Sequence, residues 1–98
     1  MIVRIVRMFF KPDCIGAFQT HFESIKHKVR HFEGCHFLEL YQDPQNPTIM
    51  MTYSHWESEA ALENYRHSEV FKQIWAETKP LMAEKTYAFS MEKINEAQ

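Results

Sequence analysis

Residues 52–62 read TYSHWESEAAL, and within this stretch the chain changes from a strand-like to a helix-like pattern. Thr52–His55 is rich in residues that favour strands. Ser58 is a residue type that caps a helix by accepting a hydrogen bond from its free N–H groups, and Glu59 suits the positive end of the helix dipole. Trp56 lies at the junction, either as an anchor that holds strand to helix or as the wall of a pocket.

On the N-terminal side of this junction the pattern predicts a strand followed by a long helix. Ile2–Phe10 is rich in β-branched and aromatic residues and predicts the first strand. Asp13 is placed to cap a helix that ends at Gly34. Apolar residues then recur at spacings of three and four, which predicts one apolar stripe: Ile15, Phe18, Phe22, Ile25, Val29 and Phe32.

Two further strands follow this helix. Cys35–Asp43 predicts the second, with Leu38 and Leu40 on one side and alternate residues on the other. The turn formers of residues 43–47 then connect it to a third strand, Thr48–His55.

The C-terminal part predicts two helical pieces and a last strand. Ser58 caps the first piece, and Ser68 caps a second that runs to about Ala83, with Pro80 bending or ending it. Glu84–Ile94 predicts the fourth strand, before a polar tail.

The predicted order is β-α-β-β-α-β in a single domain over residues 1–98. Short connections and right-handed crossovers pack such a chain as a four-stranded antiparallel sheet with both helices on one face. We therefore expect an α+β, ferredoxin-like fold.

Composition argues against several classes of partner and location. The formal net charge is −2 with no basic block, so a nucleic-acid partner is not expected. No apolar run approaches the ~20 residues of a membrane span, and arginines interrupt the apolar N-terminus, so we expect neither a membrane anchor nor a signal peptide. Cys14 and Cys35 form no CxxC pair, which favours a reduced, cytoplasmic setting.

Both faces of the predicted sheet carry apolar residues. In the first strand Val3, Ile5 and Phe9 alternate with Val6 and Met8. Because helices cover only one face, the other predicts an interface, and a twofold homodimer that closes two sheets into a barrel would bury it. Some polar strand residues should then line a cavity or its mouth: Arg4, Arg7, His36, Glu39, Thr52, Ser54, His55 and Ser90.

The string Trp56-Glu57-Ser58-Glu59, then Ala61-Leu62, then His67-Ser68-Glu69-Val70-Phe71 resembles the antibiotic biosynthesis monooxygenase family. The resemblance covers nearly the whole chain and implies a dimeric α/β barrel. The same fold hosts several activities, so the reaction has to be argued from the site.

One branch of this family degrades heme, and the resemblance to it is incomplete. That branch has a tryptophan where this chain has Trp56, and an axial histidine a few residues beyond the S-x-V-F string. Aligned through Ser68–Lys72, the histidine falls on Trp75. An indole N–H is only a donor and cannot replace an imidazole on iron, so heme degradation ranks third among the functions considered.

Another branch oxidises phenols or quinols to quinones with molecular oxygen, without a metal or organic cofactor. This resemblance implies a monooxygenase acting on a small phenolic or quinol-like aromatic. The protein would supply a dry pocket and a group that favours the phenolate. A non-catalytic dimeric barrel that binds a small hydrophobic ligand is the alternative.

Candidate site residues follow from side-chain chemistry. Strand histidines are natural bases near neutral pH, and a tryptophan can stack on a planar substrate. The catalytic candidates are His55, His36 and Trp56. The substrate-binding candidates are Tyr53, Tyr87, Phe37 and Arg7.

Other polar residues carry weaker signals. Arg4 and Arg7 lie on opposite faces of the first strand, and the sequence leaves open which of them would neutralise a phenolate. His27 and His31 have the i, i+4 spacing of a metal pair, but their helix face predicts solvent exposure, so no metal site is expected.

Overall fold

The computed structural model describes residues 1–98, and its elements follow the predicted order. The strands and helices are β1 Ile2–Phe9, α1 Ile15–Arg30, β2 Cys35–Gln42, β3 Ile49–Trp56, α2 Glu59–Arg66, α3 Glu69–Thr78 and β4 Tyr87–Glu92. Short 3-10 turns, Pro12–Cys14 and Lys79–Leu81, precede α1 and follow α3.

The four strands form one antiparallel sheet in the order β2-β3-β1-β4. In the central strand β1, Arg4 pairs with Ser54 of β3 on one side and with Ser90 of β4 on the other. The helices pack on one face of the sheet, so the α+β ferredoxin-like prediction is confirmed.

Both predicted serine caps are present. The Oγ of Ser58 accepts a hydrogen bond from the backbone N–H of Ala61, and the Oγ of Ser68 accepts one from that of Phe71, each at 3.1 Å. The second helical piece ends at Thr78, earlier than predicted, because Pro80 lies in the 3-10 turn that follows.

The predicted bounds of the long helix are wrong at both ends. Its N-cap is Cys14, which makes no side-chain capping bond, because Asp13 lies inside the 3-10 turn that begins at Pro12. The helix ends at Arg30, and Gly34 lies beyond it with a φ of +89°. A Cβ on this glycine would come within 2.5 Å of the Ala61 Cβ, so Gly34 serves the turn into β2.

The apolar core lies between the sheet and the helices in two clusters. The larger is built around Trp56 and contains Ile25, Val29, Cys35, Leu62, Tyr65 and Ile74. The smaller contains Met8, Phe10, Phe18 and Met50.

The opposite face of the sheet carries no helix and exposes large apolar side chains. On the edge strand β4, Tyr87 is 66% exposed, Phe89 47% and Met91 57%, and Tyr41 of β2 lies on the same face. We name this surface, made by the odd-numbered residues of β1, β3 and β4 and by Phe37, Glu39 and Tyr41 of β2, the open face. No helix combines the length and the apolar character needed to cross a membrane.

Candidate functional site

A cavity of about 610 Å³ lies between the sheet and the helices. Its floor is formed by alternate residues of the strands: Arg4, Val6, Met8, Leu38, Thr52, Ser54, Trp56 and Ala88. The three helices supply the facing wall. Its exposed lining residues mark the opening, beside the segment that leads into β4: Arg66, Lys79, Ala83, Glu84, Lys85 and Ala88.

Aromatic side chains form a continuous wall of this cavity. The indole of Trp56 stacks on the ring of Tyr65, with centroids 4.9 Å apart and planes at 24°. Tyr65 meets Phe71 edge-on at 5.2 Å, and Phe71 contacts Trp75 at 6.0 Å. All four rings line the cavity, and the two less buried ones, Phe71 and Trp75, give a planar ligand a surface on which to stack.

Trp56 is both an anchor and a cavity wall. It is only 1% exposed, and its Nε1–H donates to the Oγ of Ser54 at 3.0 Å. Ser54 in turn donates to the backbone oxygen of Arg4 at 3.4 Å, a long bond. The indole N–H is therefore already satisfied within the protein, and the ring, stacked on Tyr65, leaves almost no surface for direct contact with a ligand.

Tyr65 is held in its neutral form. Burial, and secondarily the proximity of Cys35, raises the pKa of the phenol well above its ordinary value. The phenol therefore stays neutral and does not act as a base at physiological pH.

The polar lining of the cavity is predominantly cationic. Its charged members are Arg4, Arg66, Lys79, Lys85 and Glu84. Burial, and then the charge of Arg66, lowers the pKa of Arg4. Burial and the charge of Arg66 outweigh the opposing effect of the Glu63 carboxylate, so an anion in the cavity would stabilise charged Arg4 further.

His21 of α1 is the one histidine that lines the cavity. Its Nε2 lies 3.2 Å from the Oγ1 of Thr78, and its Nδ1 lies 3.6 Å from the Glu77 carboxylate. The Thr78 hydroxyl also lies 2.7 Å from the backbone oxygen of Ile74. If Thr78 donates to Ile74, Nε2 must be the donor to Thr78; with the proton on Nδ1, toward Glu77, Nε2 becomes an acceptor for a hydroxyl.

Comparison with known proteins places this fold in a family. The sequence profile of the family described as "Antibiotic biosynthesis monooxygenase" matches residues 1–77. The chain belongs to this family. Among curated proteins, none matches the chain.

Solved structures of related architecture cover almost the whole chain. A conserved protein from Methanosarcina mazei Go1 is 24% identical, with a TM-score of 0.88 over 96% of this chain and 94% of that one. A protein from Mycobacterium tuberculosis is 20% identical, with a TM-score of 0.87 over 99% and 98%. An antibiotic biosynthesis monooxygenase is also 20% identical, with a TM-score of 0.89 over 97% and 100%. At these identities the likeness establishes the fold.

Among the site residues predicted from the sequence, Trp56 alone lines the cavity of this family member. His55, Tyr53 and Phe37 lie together on the open face, where the His55 ring is 4.8 Å from that of Phe37 and 5.0 Å from that of Tyr53. The Nε2 of His55 is buried there without a hydrogen-bond partner.

The remaining predicted residues are also outside the cavity. Arg7 and Tyr87 are paired neighbours on the open face. His36 is exposed at the start of β2, with its Nε2 3.6 Å from the Glu57 carboxylate. The sheet itself separates the open-face candidates from the cavity.

Sequence reasoning did not select His21 as a site residue, and it left open whether Arg4 or Arg7 would face the cavity. His21 follows Phe18 by three positions at the edge of the apolar stripe, and that spacing was the available signal. Arg4 is an even-numbered residue of β1, like Val6 and Met8, which places it on the helix-covered face. Choosing it over Arg7 required knowing which face holds the cavity.

The geometry also bears on heme. Trp75, at the position aligned with the axial histidine, contributes an indole to the cavity wall. His21 has Thr78 at one ring nitrogen and Glu77 near the other, so iron ligation would require one of these neighbours to be displaced.

Proposed function

We propose that this protein is a cofactor-independent monooxygenase that oxidises a small phenolic or quinol-like aromatic with molecular oxygen. The observation that carries the proposal is the cavity of about 610 Å³ with its wall of aromatic rings. Ligand pockets are commonly apolar clefts of roughly 300–1,000 Å³ with a few placed polar groups, and this cavity fits that description.

The reaction can be written without a metal or flavin because the substrate supplies the electrons. For a phenol, one oxygen atom of O₂ enters the ring as the second quinone oxygen. The other leaves as water with the phenolic hydrogen and the hydrogen displaced from the ring carbon. Deprotonation makes the phenol a better electron donor to O₂, so the protein's main task is to favour the phenolate and to exclude water.

His21 is the base that we assign to this cavity. When its Nδ1 carries a proton toward Glu77, its Nε2 is an acceptor that can take the proton of a substrate hydroxyl, with the Thr78 hydroxyl bonded to Ile74 alone. The Glu77 carboxylate would then stabilise the imidazolium that forms. The aromatic wall around Trp56 would hold the ring of the substrate away from bulk water.

Oxygen uptake by the purified protein tests this function. A panel of naphthols, anthrones and quinols is supplied in the presence of a metal chelator, and O₂ consumed is compared with quinone formed. We expect one O₂ per quinone for a phenol substrate of the panel. His21→Gln should lower kcat by about 10²-fold or more, whereas His27→Gln, on the exposed side of the same helix, should leave it unchanged.

Other outcomes point to other functions. Thermal stabilisation by these compounds without oxygen uptake would support a ligand-binding protein instead. A tight one-to-one complex with hemin, seen as a Soret shift, would support heme chemistry. Loss of turnover in His55→Gln together with normal turnover in His21→Gln would move the base to the open face.

A further inference from the structure

The cavity differs in charge from the protein as a whole. Four lining residues are cationic and one, Glu84, is anionic, in a chain whose formal net charge is −2. Arg66 is paired with Glu63 at 2.7 Å, but Arg4, Lys79 and Lys85 have no carboxylate within 4.0 Å. Positive side chains around a cleft with apolar walls concentrate anions there.

Arg4 is partly buried, whereas the other cationic residues of the lining are exposed. It lies on the central strand between Ser54 and Ser90, and its Nη1 donates to the Ser90 Oγ at 3.1 Å. A guanidinium has five N–H donors arranged to meet a carboxylate at two points, and this is the one side-chain bond that Arg4 makes. Unused donors therefore remain for a ligand.

The neighbours of Arg4 on the adjacent strands do not neutralise its charge. Ser54 accepts from the indole of Trp56 and is buried, and no acidic side chain pairs with Arg4 across the sheet. The guanidinium is thus a charged donor on the floor of a cavity whose walls are aromatic. A ligand that matches both features has a flat ring and an anionic group at its edge.

From this arrangement we infer that the cavity binds aromatic carboxylates, with the carboxylate on Arg4, assisted by Arg66, and the ring against the aromatic wall. The inference rests on the proposed function and narrows its substrate class to hydroxyaryl acids. The carboxylate is a separate group from the hydroxyl that loses its proton to His21.

A binding experiment with two matched probes tests the inference. Calorimetric titration of the whole protein with 2-naphthoate and with 2-naphthamide compares ligands of nearly equal shape that differ in charge. We expect 2-naphthoate to bind about tenfold more tightly or better, and its affinity to fall with added salt. Equal affinities for the two probes would overturn the inference.

Variants at Arg4 and Arg66 locate the carboxylate. Arg4→Met should weaken 2-naphthoate about tenfold or more and leave 2-naphthamide unchanged, with Arg4→Lys between them. Arg66→Met, at an exposed helix position, should weaken the acid to a smaller extent and keeps the test open if Arg4→Met does not fold. Lys28→Met removes a charge from an exposed part of α1 and should change neither affinity. An Arg4→Met protein that is folded and binds 2-naphthoate normally would contradict the assignment.

Oxygen uptake distinguishes a failure of this inference from a failure of the proposed function on which it rests. If 2-naphthoate binds in an Arg4-dependent way but no hydroxynaphthoate consumes O₂, the acid-binding site stands and the monooxygenase proposal fails. If neutral naphthols are oxidised while both naphthalene probes bind equally, the monooxygenase stands and the acid-binding site fails.

Discussion

Trp56 is the residue on which core and cavity both depend. Its ring belongs to the larger apolar cluster, stacks on Tyr65 and lines the cavity, while its N–H is committed to Ser54. The two roles considered for it from the sequence are therefore compatible. Because it is only 1% exposed, Trp56 shapes the cavity through its packing and offers a ligand almost no surface.

Truncating this residue should be costly. Because Trp56 fills the junction of β3 and α2, Trp56→Ala is expected to lower the free energy of unfolding by about 3–5 kcal/mol. Trp56→Phe retains a ring and should cost much less, mainly the bond to Ser54, worth about 1 kcal/mol. Urea denaturation measures both, and equal losses in the two variants would mean that the ring does not pack as described.

Tyr65 gives the protein a dependence on alkaline pH. Burial raises the pKa of its phenol in the folded state, whereas the unfolded chain ionises near the ordinary value of 10.0. Below pH 10 the phenol is protonated in both the folded and the unfolded protein, so it does not make the free energy of unfolding depend on pH. Above it only the unfolded state loses the proton, so stability falls as pH rises.

Tyr65→Phe should therefore lose stability less steeply above pH 10, by up to about 1.4 kcal/mol per pH unit for this single group. Chemical denaturation on both sides of pH 10 measures the slope, and Tyr87→Phe, at an exposed position, is the control. Parallel pH profiles for wild type and Tyr65→Phe would refute the assignment.

At the scale of elements, the turn between α1 and β2 depends on Gly34. Its φ of +89° disfavours any other residue, and an added Cβ would lie 2.5 Å from the Cβ of Ala61 on α2. Gly34→Ala should destabilise the protein by more than about 1 kcal/mol. Adding Ala61→Gly to this variant should recover only the part of the lost stability that the clash between the two Cβ atoms causes.

Gly16 supplies the matched control for this substitution. It lies in α1, and a Cβ added there would have no neighbouring atom within 4 Å, so Gly16→Ala should stabilise the protein by about 0.5–1 kcal/mol. Thermal or urea unfolding distinguishes the opposite signs. A Gly34→Ala protein as stable as wild type would show that the turn tolerates a side chain.

Local chemistry made most of the elements predictable. Serine caps at Ser58 and Ser68 and the apolar stripe of α1 fixed where helices form, because these signals act over one or two turns. The prediction that Asp13 caps α1 was wrong because Pro12 begins a separate 3-10 turn before the helix. The side of the sheet that holds the cavity was not predictable from the strands, since both faces alternate with similar apolar content.

The candidate site followed from the sequence only in part. Trp56 was found through its place in a family motif, but His21 and Arg4 join it only through packing of α1 over β1. Side chains from distant elements meet in a cavity whose volume depends on how helices seat on the sheet. No short-range sequence pattern encodes how far the helices lie from the sheet.

At the scale of the whole molecule, the open face predicts self-association. Tyr87, Phe89 and Met91 expose about half or more of their side-chain surface on one strand, next to other apolar residues of the sheet. We expect a homodimer in which two open faces meet, because a contiguous apolar surface of this kind is unfavourable in water.

Light scattering at micromolar concentration tests the dimer. The expected mass is twice the 11.8 kDa of the chain. Phe89→Glu should shift it toward a monomer by placing a charge in the interface, whereas Gln19→Glu on exposed α1 should not. A wild-type mass of one chain would contradict the prediction.

Methyl NMR of methionine tests most directly the central claim, which is that aromatic ligands occupy the cavity beneath the helices. Met8 and Met82 line the cavity, and Met51 and Met91 lie on the open face. During titration of the ¹³C-methyl-methionine protein with 2-naphthoate, we predict shifts of the Met8 and Met82 signals, because ring currents act over a few ångströms. Shifts of Met51 and Met91 with unchanged Met8 and Met82 would contradict the account and place the ligand on the open face.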